Sequence, residues 1–248
     1  MSTIGAGPEA LALSIILPAH NELTLLGSTV TNLLTGLDDR GLGYEIVIVE
    51  NGSTDGTLQL ARVLAAQVPA IRVLALEHGN YGAALATGFA AARGQVVVNF
   101  DVDYYDLSFL DAALDALAQG SCELVLASKR APGARDRRPL VRRVLTFAFS
   151  TLLRRCVGLG VSDAHGMKAM TRTALALVVA RCELRGSLFD VEVVARAMRA
   201  GLRVRELPAV VVERRPARTS VMQRSIESGI GVLRLHRLLR GEAEGPLD

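Results

Sequence analysis

An α/β fold with a mostly parallel central sheet flanked by helices is the class that this 248-residue sequence predicts. Two observations carry it. Short apolar runs alternate with helix-length segments through the first half of the chain, and the runs lack polar alternation, as strands covered on both faces do. The punctuation agrees: Gly36 and Gly120 follow expected helices, whereas Ser53-Thr54-Asp55-Gly56 and Asp106 precede them.

In order, LSIILPA (13–19) leads to a helix over 22–35, YEIVIVE (44–50) to one over 56–67, and IRVLAL (71–76) to one over 81–93. QVVVNF (95–100) leads to a helix over 107–119, and CELVLAS (122–128) closes the series. Past Arg130 the pattern changes. A loop, APGARDRRP, enters LVRRVLTFAFSTLLRRC (140–156), an apolar stretch flanked and interrupted by arginine. It is too short and too charged to span a hydrocarbon core that takes about 20 apolar residues. An amphipathic helix lying flat on a surface is one reading, and a core helix with arginine ends is the other. Residues 187–200 read as a helix, LRVREL and AVVVERR as strands, and 220–240 as a final arginine-bearing helix.

Half the residues are hydrophobic, enough to bury one sizeable core, so a single domain over 1–248 is expected and a disordered or fibrous chain is excluded. The start, MSTIGAGPEALALSIILPAH, has no basic n-region, so no signal peptide is expected. Cys122, Cys156 and Cys182 are odd in number and widely spaced, which argues against a disulfide framework or a zinc site and for a reducing compartment. The net charge of +3 is lopsided. Residues 1–128 carry 4 arginines against 14 acids, and residues 129–248 carry 24 basic residues against 11 acids. A polyanionic partner for the second half, or a solvated arginine-rich surface, accounts for this. Nucleic acid is the weakest such partner, because the basic half has no aromatic stacking ladder.

Ligands of an open parallel sheet bind beyond the carboxyl ends of its strands, so the residues just after each run matter most. They are polar here: PAHNE after the first, ENGSTDGT after the second, EHGNYG after the third, DVDYYD after the fourth. The first lacks G-x-G-x-x-G, which removes the nicotinamide and flavin readings. Asp101 and Asp103 are two apart, so an extended strand end would send both side chains to one side. One Mg2+ or Mn2+, completed by substrate phosphates, would neutralise them; capping and loop aspartates are the plainer alternative.

With these pieces, and with LVLASKR, GVSDAHGMKAMTR, SLFDVEVVARAMRAGLRVRELP and RRPARTS in their order and spacing, the chain resembles family 2 glycosyltransferases of the GT-A fold. Within them it is most similar to the polyprenyl-phosphate sugar transferases of the dolichyl-phosphate mannose synthase group, over roughly residues 12–235. The resemblance implies a nucleotide-sugar and metal-binding half (12–128) and an acceptor-binding, membrane-proximal half (129–241). It places Pro18, His20 and Glu22 at the nucleotide, Glu50 and Asn51 near base and ribose, and Ser53, Gly82 and Val102 at the donor. Asp101 and Asp103 would hold the metal and diphosphate, Lys129 and Lys168 would be phosphate ligands, and Arg215 would cover the phosphates. Departures are Glu50-Asn51 for an acidic pair, Tyr105 for Gln, Val221 for a lysine and Arg218 for a glycine, so Arg218 or Arg224 would rebuild the phosphate lid.

The implied activity is inverting, metal-dependent transfer of a sugar from a GDP- or UDP-sugar to a polyprenyl phosphate. The enzyme would be cytoplasmic and peripheral on an anionic membrane face, with basic flanks at 129–155 supplying the attraction. Two alternatives remain: the same chemistry onto a hydroxyl, or a non-catalytic nucleotide-sugar or anionic-lipid binding module. A lipid phosphate needs no protein base, but a hydroxyl does, and Glu192 and Asp106 are the candidates. His20 has a nucleotide contact or a packing role open to it. His165 stands where the family often has Ser or Thr and is a candidate for the acceptor phosphate, with Asp163 holding its loop.

Overall fold

The computed structural model describes residues 11–136, 139–211 and 221–241, with the side chains of Asp136, Arg142, Val211 and of 221–230 left aside. The elements run β1 (Leu13–Ala19), α1 (Leu23–Asp38), β2 (Tyr44–Asn51), α2 (Thr57–Gln67), β3 (Ile71–Leu76), α3 (Tyr81–Ala91), β4 (Val96–Asn99), α4 (Leu107–Ala118) and β5 (Leu124–Ser128). They continue with β6 (Arg135–Asp136), α5 (Leu140–Val157), β7 (Lys168–Thr171), α6 (Arg172–Val179), α7 (Phe189–Arg199), β8 (Val204–Pro208), β9 (Val210–Val211) and α8 (Val221–Gly241).

Seven strands form one sheet in the order β3-β2-β1-β4-β7-β5-β8, while β6 pairs with β9 apart from it. All ladders of the large sheet are parallel except those of β7, which runs antiparallel between β4 and β5. Alternate strand residues feed two cores. Leu13, Ile15, Leu17, Ile46 and Ile48 pack with Leu26, Val30, Leu33, Phe109 and Leu110 of α1 and α4. Ile16, Val47, Val49 and Val97 pack on the opposite face with Leu85, Phe89, Leu175, Phe189, Val193 and Leu235 of α3, α6, α7 and α8. Both faces are therefore dry, which is why the runs read as continuous apolar stretches.

One sequence expectation is corrected. Gly36 does not follow the first helix but lies inside it; a Cβ there would sit 2.3 Å from Leu107 Cδ1, so the residue serves close packing. KAMT (168–171), which carries no strand expectation from the sequence, fills the sheet between β4 and β5. Within AVVVERR, Val210–Val211 is strand, and residues 212–215 lie outside the described residues.

Candidate functional site

The loops leaving β1, β2 and β3 interlock at the carboxyl edge of the sheet. His20 Nδ1 lies 2.7 Å from the Asn51 carbonyl oxygen, so that nitrogen carries the proton and donates. The Asn21 amide donates to Ser53 Oγ at 2.9 Å, and Asn21 Oδ1 accepts from the Thr54 amide at 2.9 Å. Asn21 does so at φ 54°, a left-handed conformation that asparagine tolerates better than most residues. The Glu22 amide donates to Thr57 Oγ1 at 2.8 Å. Glu50, buried, accepts from the Ser53 amide at 2.6 Å, and Asn51 Oδ1 accepts from the Asn80 amide at 2.7 Å. Asn80 in turn caps α3 through the Ala83 amide. Pro18 is buried within β1 opposite Val49. The structure thus brings Pro18, His20, Glu22, Glu50, Asn51 and Ser53 together at the carboxyl edge of β1 and β2, with Glu50 and Asn51 tied to backbone amides.

Gly82 stands in the first turn of α3, and a Cβ there would meet Gly186 O at 2.2 Å and Arg185 O at 2.5 Å. Both are backbone atoms that cannot rotate away, so its role here is to let the segment before α7 approach α3. Gly82→Ala is expected to cost about 1–3 kcal/mol, read as a lowered midpoint in urea, because the two segments must separate.

After β4 the chain does not stay extended, contrary to the expectation from the two-residue spacing. Asp101 and Tyr104 exchange both backbone hydrogen bonds, at 3.0 and 3.1 Å, and fold 101–104 into a tight turn. Thr29 Oγ1 anchors that turn by donating to the Val102 carbonyl at 2.7 Å. The Val102 side chain packs in the α1/α4 core rather than facing a ligand. Tyr105 also turns inward: its hydroxyl accepts from Asn32 Nδ2 at 3.0 Å and its ring lies 6.3 Å from that of Phe100.

Asp101 Oδ1 accepts from the Tyr81 hydroxyl at 3.0 Å. Burial first, and then the Asp103 carboxylate, push the Asp101 carboxyl up to about 6. Asp190 adds to that push, while the Tyr81 hydrogen bond and Lys168 oppose it. Desolvation, then Asp101 and Asp190, raise the Tyr81 phenol well above its ordinary value, so it remains a donor. Crowded carboxylates of this kind fit a divalent cation. Among the described residues no three His, Cys, Asp or Glu side chains form a metal cage, so an ion here would take its remaining ligands from phosphates and water, as Mg2+ commonly does.

Beside this pair lies a second charged cluster. Asp190, at the start of α7 and 3% exposed, accepts from His165 Nδ1 at 3.0 Å and sits 3.6 Å from Lys168 Nζ. Burial works to raise the Asp190 carboxyl, but His165 and Lys168 overcome it and hold the group down at about 2. Lys168 is itself buried, donating to the Gly166 carbonyl at 2.9 Å. Lys129 Nζ pairs with Asp163 Oδ2 at 3.1 Å, and Asp163 Oδ1 accepts from the His165 amide at 3.1 Å. Glu206 of β8 holds the same loop through Ser162 and the Asp163 amide.

Glu192 is placed elsewhere. It is fully buried, accepts from the amides of Glu183 and Leu184 at 3.0 and 2.7 Å, and pairs with Arg196 at 2.7 Å. Two residues along a helix amount to about 200° of rotation, so Asp190 and Glu192 address opposite sides of α7. Asp106 is the N-cap of α4, accepting from Ser108 and Phe109. Neither carboxylate is available as a base. Arg215 and Arg218 lie outside the described residues, as does the side chain of Arg224.

Sequence reasoning missed Tyr81 and Asp190. Asp190 stood in the quoted FDVE, but nothing in four letters says which acid faces the site. Tyr81 opens α3 beside Gly82, and its partner Asp101, past the end of β4, is visible only in three dimensions.

Residues 14–177 match the family model described as Glycosyl transferase family 2. Glycosyltransferase AglD of Haloferax volcanii is 30% identical over 208 residues, covering 82% of this chain and 33% of that protein. The dolichyl-phosphate beta-glucosyltransferase of Saccharomyces cerevisiae is 26% identical over 222 residues, covering 81% of this chain and 66% of its own length. The chain therefore spans from a third to just under two thirds of these relatives. Among solved structures, glucosyl-3-phosphoglycerate synthase from Mycobacterium tuberculosis in complex with UDP superimposes with a TM-score of 0.68. Its identity is 21%, with 91% of this chain and 80% of that one covered. A mannosyltransferase from Pyrobaculum calidifontis in complex with GDP-Man and Mn2+ gives 0.61 at 24% identity, covering 96% and 66%. At these identities the superpositions speak to the fold, which is GT-A. Fold and family model agree, and the chain belongs to glycosyl transferase family 2.

Proposed function

We propose that this chain moves a sugar from a nucleotide-diphosphate donor to a polyprenyl phosphate, with inversion at the anomeric carbon. The observation that carries the reading is the 101–104 turn, which sets Asp101 beside Asp103 in a partly buried place where Asp101 resists ionisation. Such a pair suits a divalent ion shared with a diphosphate. Mg2+ or Mn2+ bound by Asp101 and Asp103 would supply charge neutralisation for the departing diphosphate. The β1, β2 and β3 loops form the wall for base and ribose, and Lys168 moderates the field at Asp101. An acceptor phosphate oxygen forms the new bond to the anomeric carbon while the bond to the diphosphate oxygen breaks. The nucleoside diphosphate leaves with the electron pair, and no proton is transferred.

The carboxylates also favour a phosphate over a hydroxyl acceptor. Glu192 and Asp106 are engaged in holding backbone, and Asp190, held down at about 2, is a weak base. The dolichyl-phosphate beta-glucosyltransferase relatives point to the same acceptor class.

A flat, peripheral seat on the cytoplasmic membrane face fits α5. Leu140, Val141, Val144, Phe147 and Leu152 are exposed, and Arg143, Arg154 and Arg155 are exposed beside them. Among the described residues no helix is long and apolar enough to cross a membrane. Flotation is expected to recover the protein with phosphatidylglycerol vesicles and not with phosphatidylcholine vesicles. Val144→Asp/Phe147→Asp should abolish recovery; unchanged flotation would remove the membrane role.

The function itself is tested by incubating the protein and Mn2+ with UDP- and GDP-sugars against a polyprenyl phosphate or a prenyl alcohol, reading products by mass. A sugar phosphodiester of the lipid is expected. Product on the alcohol alone would overturn the reading.

A further inference from the structure

The His165–Asp190 pair has a geometry that a merely structural contact does not need. Asp190 is an ionised carboxylate and can only accept, so His165 must donate through Nδ1, and the ring is turned by that bond. The rest of the ring is not sealed in: the His165 side chain is 36% exposed, against 4% for Asp190. Phe149 of α5 packs against it with ring centroids 5.4 Å apart, so the imidazole stands where the apolar helix meets the charged cluster. On the other side, Asp190 is near enough to contribute to the field at Asp101 and Tyr81. A group reaching the Asp101–Asp103 turn along α5 therefore passes His165. The surroundings suit an anion: Lys129 donates to the His165 carbonyl, Lys168 lies behind Asp190, and Arg130, stacked 4.6 Å over Phe147 of the same helix, has a buried Nη1 with no hydrogen-bond partner among the described residues.

We propose that Asp190 is a positioning residue that turns His165 so that its Nε2 contacts the acceptor's phosphate monoester, making His165 a determinant of phosphate over hydroxyl acceptors. The proposal rests on the acceptor reading above and adds the residue that recognises it. A ring carrying both protons donates from Nε2 to an anionic oxygen, a charge-assisted bond that an alcohol cannot match.

Asparagine and glutamine separate recognition from propping, because the asparagine amide nitrogen replaces Nδ1 and the glutamine amide nitrogen replaces Nε2. His165→Asn keeps the bond to Asp190 and removes the contact; it is expected to raise KM for the polyprenyl phosphate by about 10- to 100-fold. His165→Gln should recover much of the KM. The reverse order, with Asn like wild type and Gln defective, would show that His165 only supports Asp190 and overturn the proposal.

A binding measurement keeps this test apart from that of the activity. In protein loaded with UDP and Mg2+, the His165 ring nitrogens are followed by NMR while dodecyl phosphate, dodecanol or inorganic phosphate is added. Nε2 is expected to shift with dodecyl phosphate and not with dodecanol; inorganic phosphate reports whether the headgroup alone suffices. An unmoved ring in protein that glycosylates the lipid phosphate overturns this inference alone. A moved ring in protein that glycosylates only an alcohol overturns the functional reading and leaves the phosphate contact standing.

Discussion

Asp103→Asn is expected to lower sugar transfer by about 10²- to 10³-fold or more, with little change in thermal stability. The magnitude is that of removing one preorganised electrostatic contact to developing charge, about 2.7–4 kcal/mol. Fold stability should be spared because the turn is held by backbone bonds between Asp101 and Tyr104 and by Thr29 on the Val102 carbonyl, none of which uses the Asp103 side chain. Single-turnover kinetics with saturating donor check the first part, and a melting curve checks the second. Turnover within threefold of wild type would separate Asp103 from the chemistry.

Glu192→Ala is expected to act in the opposite sense, through the fold. Glu192 is fully buried, ties the Glu183 and Leu184 amides to α7, and neutralises Arg196, itself only 4% exposed. Removing one partner of a buried pair leaves an uncompensated charge, at a cost of about 3–5 kcal/mol. For a chain of this size that is a fall in Tm of roughly 6–20 °C. Glu192→Gln keeps an acceptor for the two amides and loses only the negative charge facing Arg196, so it should be milder. In both variants the fraction that remains folded should transfer sugar at close to the wild-type rate. A folded, fully stable Glu192→Gln that is inactive would restore Glu192 as a catalytic group.

The contrast between these two acids shows what could be read from letters. β1, β2, β4 and β5 were legible because their runs are dry on both faces, as the two cores require, whereas β3 at the sheet edge is only partly buried. The polar ends of those runs pointed to the site for the same reason: in such a sheet only the strand ends meet solvent. β7 was hidden because its first residue is Lys168, a charge at a fully buried position, which makes sense only beside Asp190 and the Gly166 carbonyl. Helix phase decided the rest. FDVE offers two acids, and packing of Phe189, Val191 and Val193 into the core settles that Asp190 faces the charged cluster while Glu192 faces the 182–184 segment. Gly36 reads as a stop because a glycine after an apolar run signals one unless tertiary contacts claim it first.

The carboxylate pair remains the centre of the account, and its pH response has a definite sign. Asp101, raised to about 6, is protonated below that pH and competes for any cation there. The most direct test is a Mn2+ titration followed by electron paramagnetic resonance at pH 7.5 and pH 5, with and without UDP or GDP. A nucleoside diphosphate should tighten Mn2+ binding at pH 7.5, the effect should weaken at pH 5, and Asp101→Asn/Asp103→Asn should remove it. Mn2+ binding that ignores the diphosphate, or that survives the double substitution, would contradict the account.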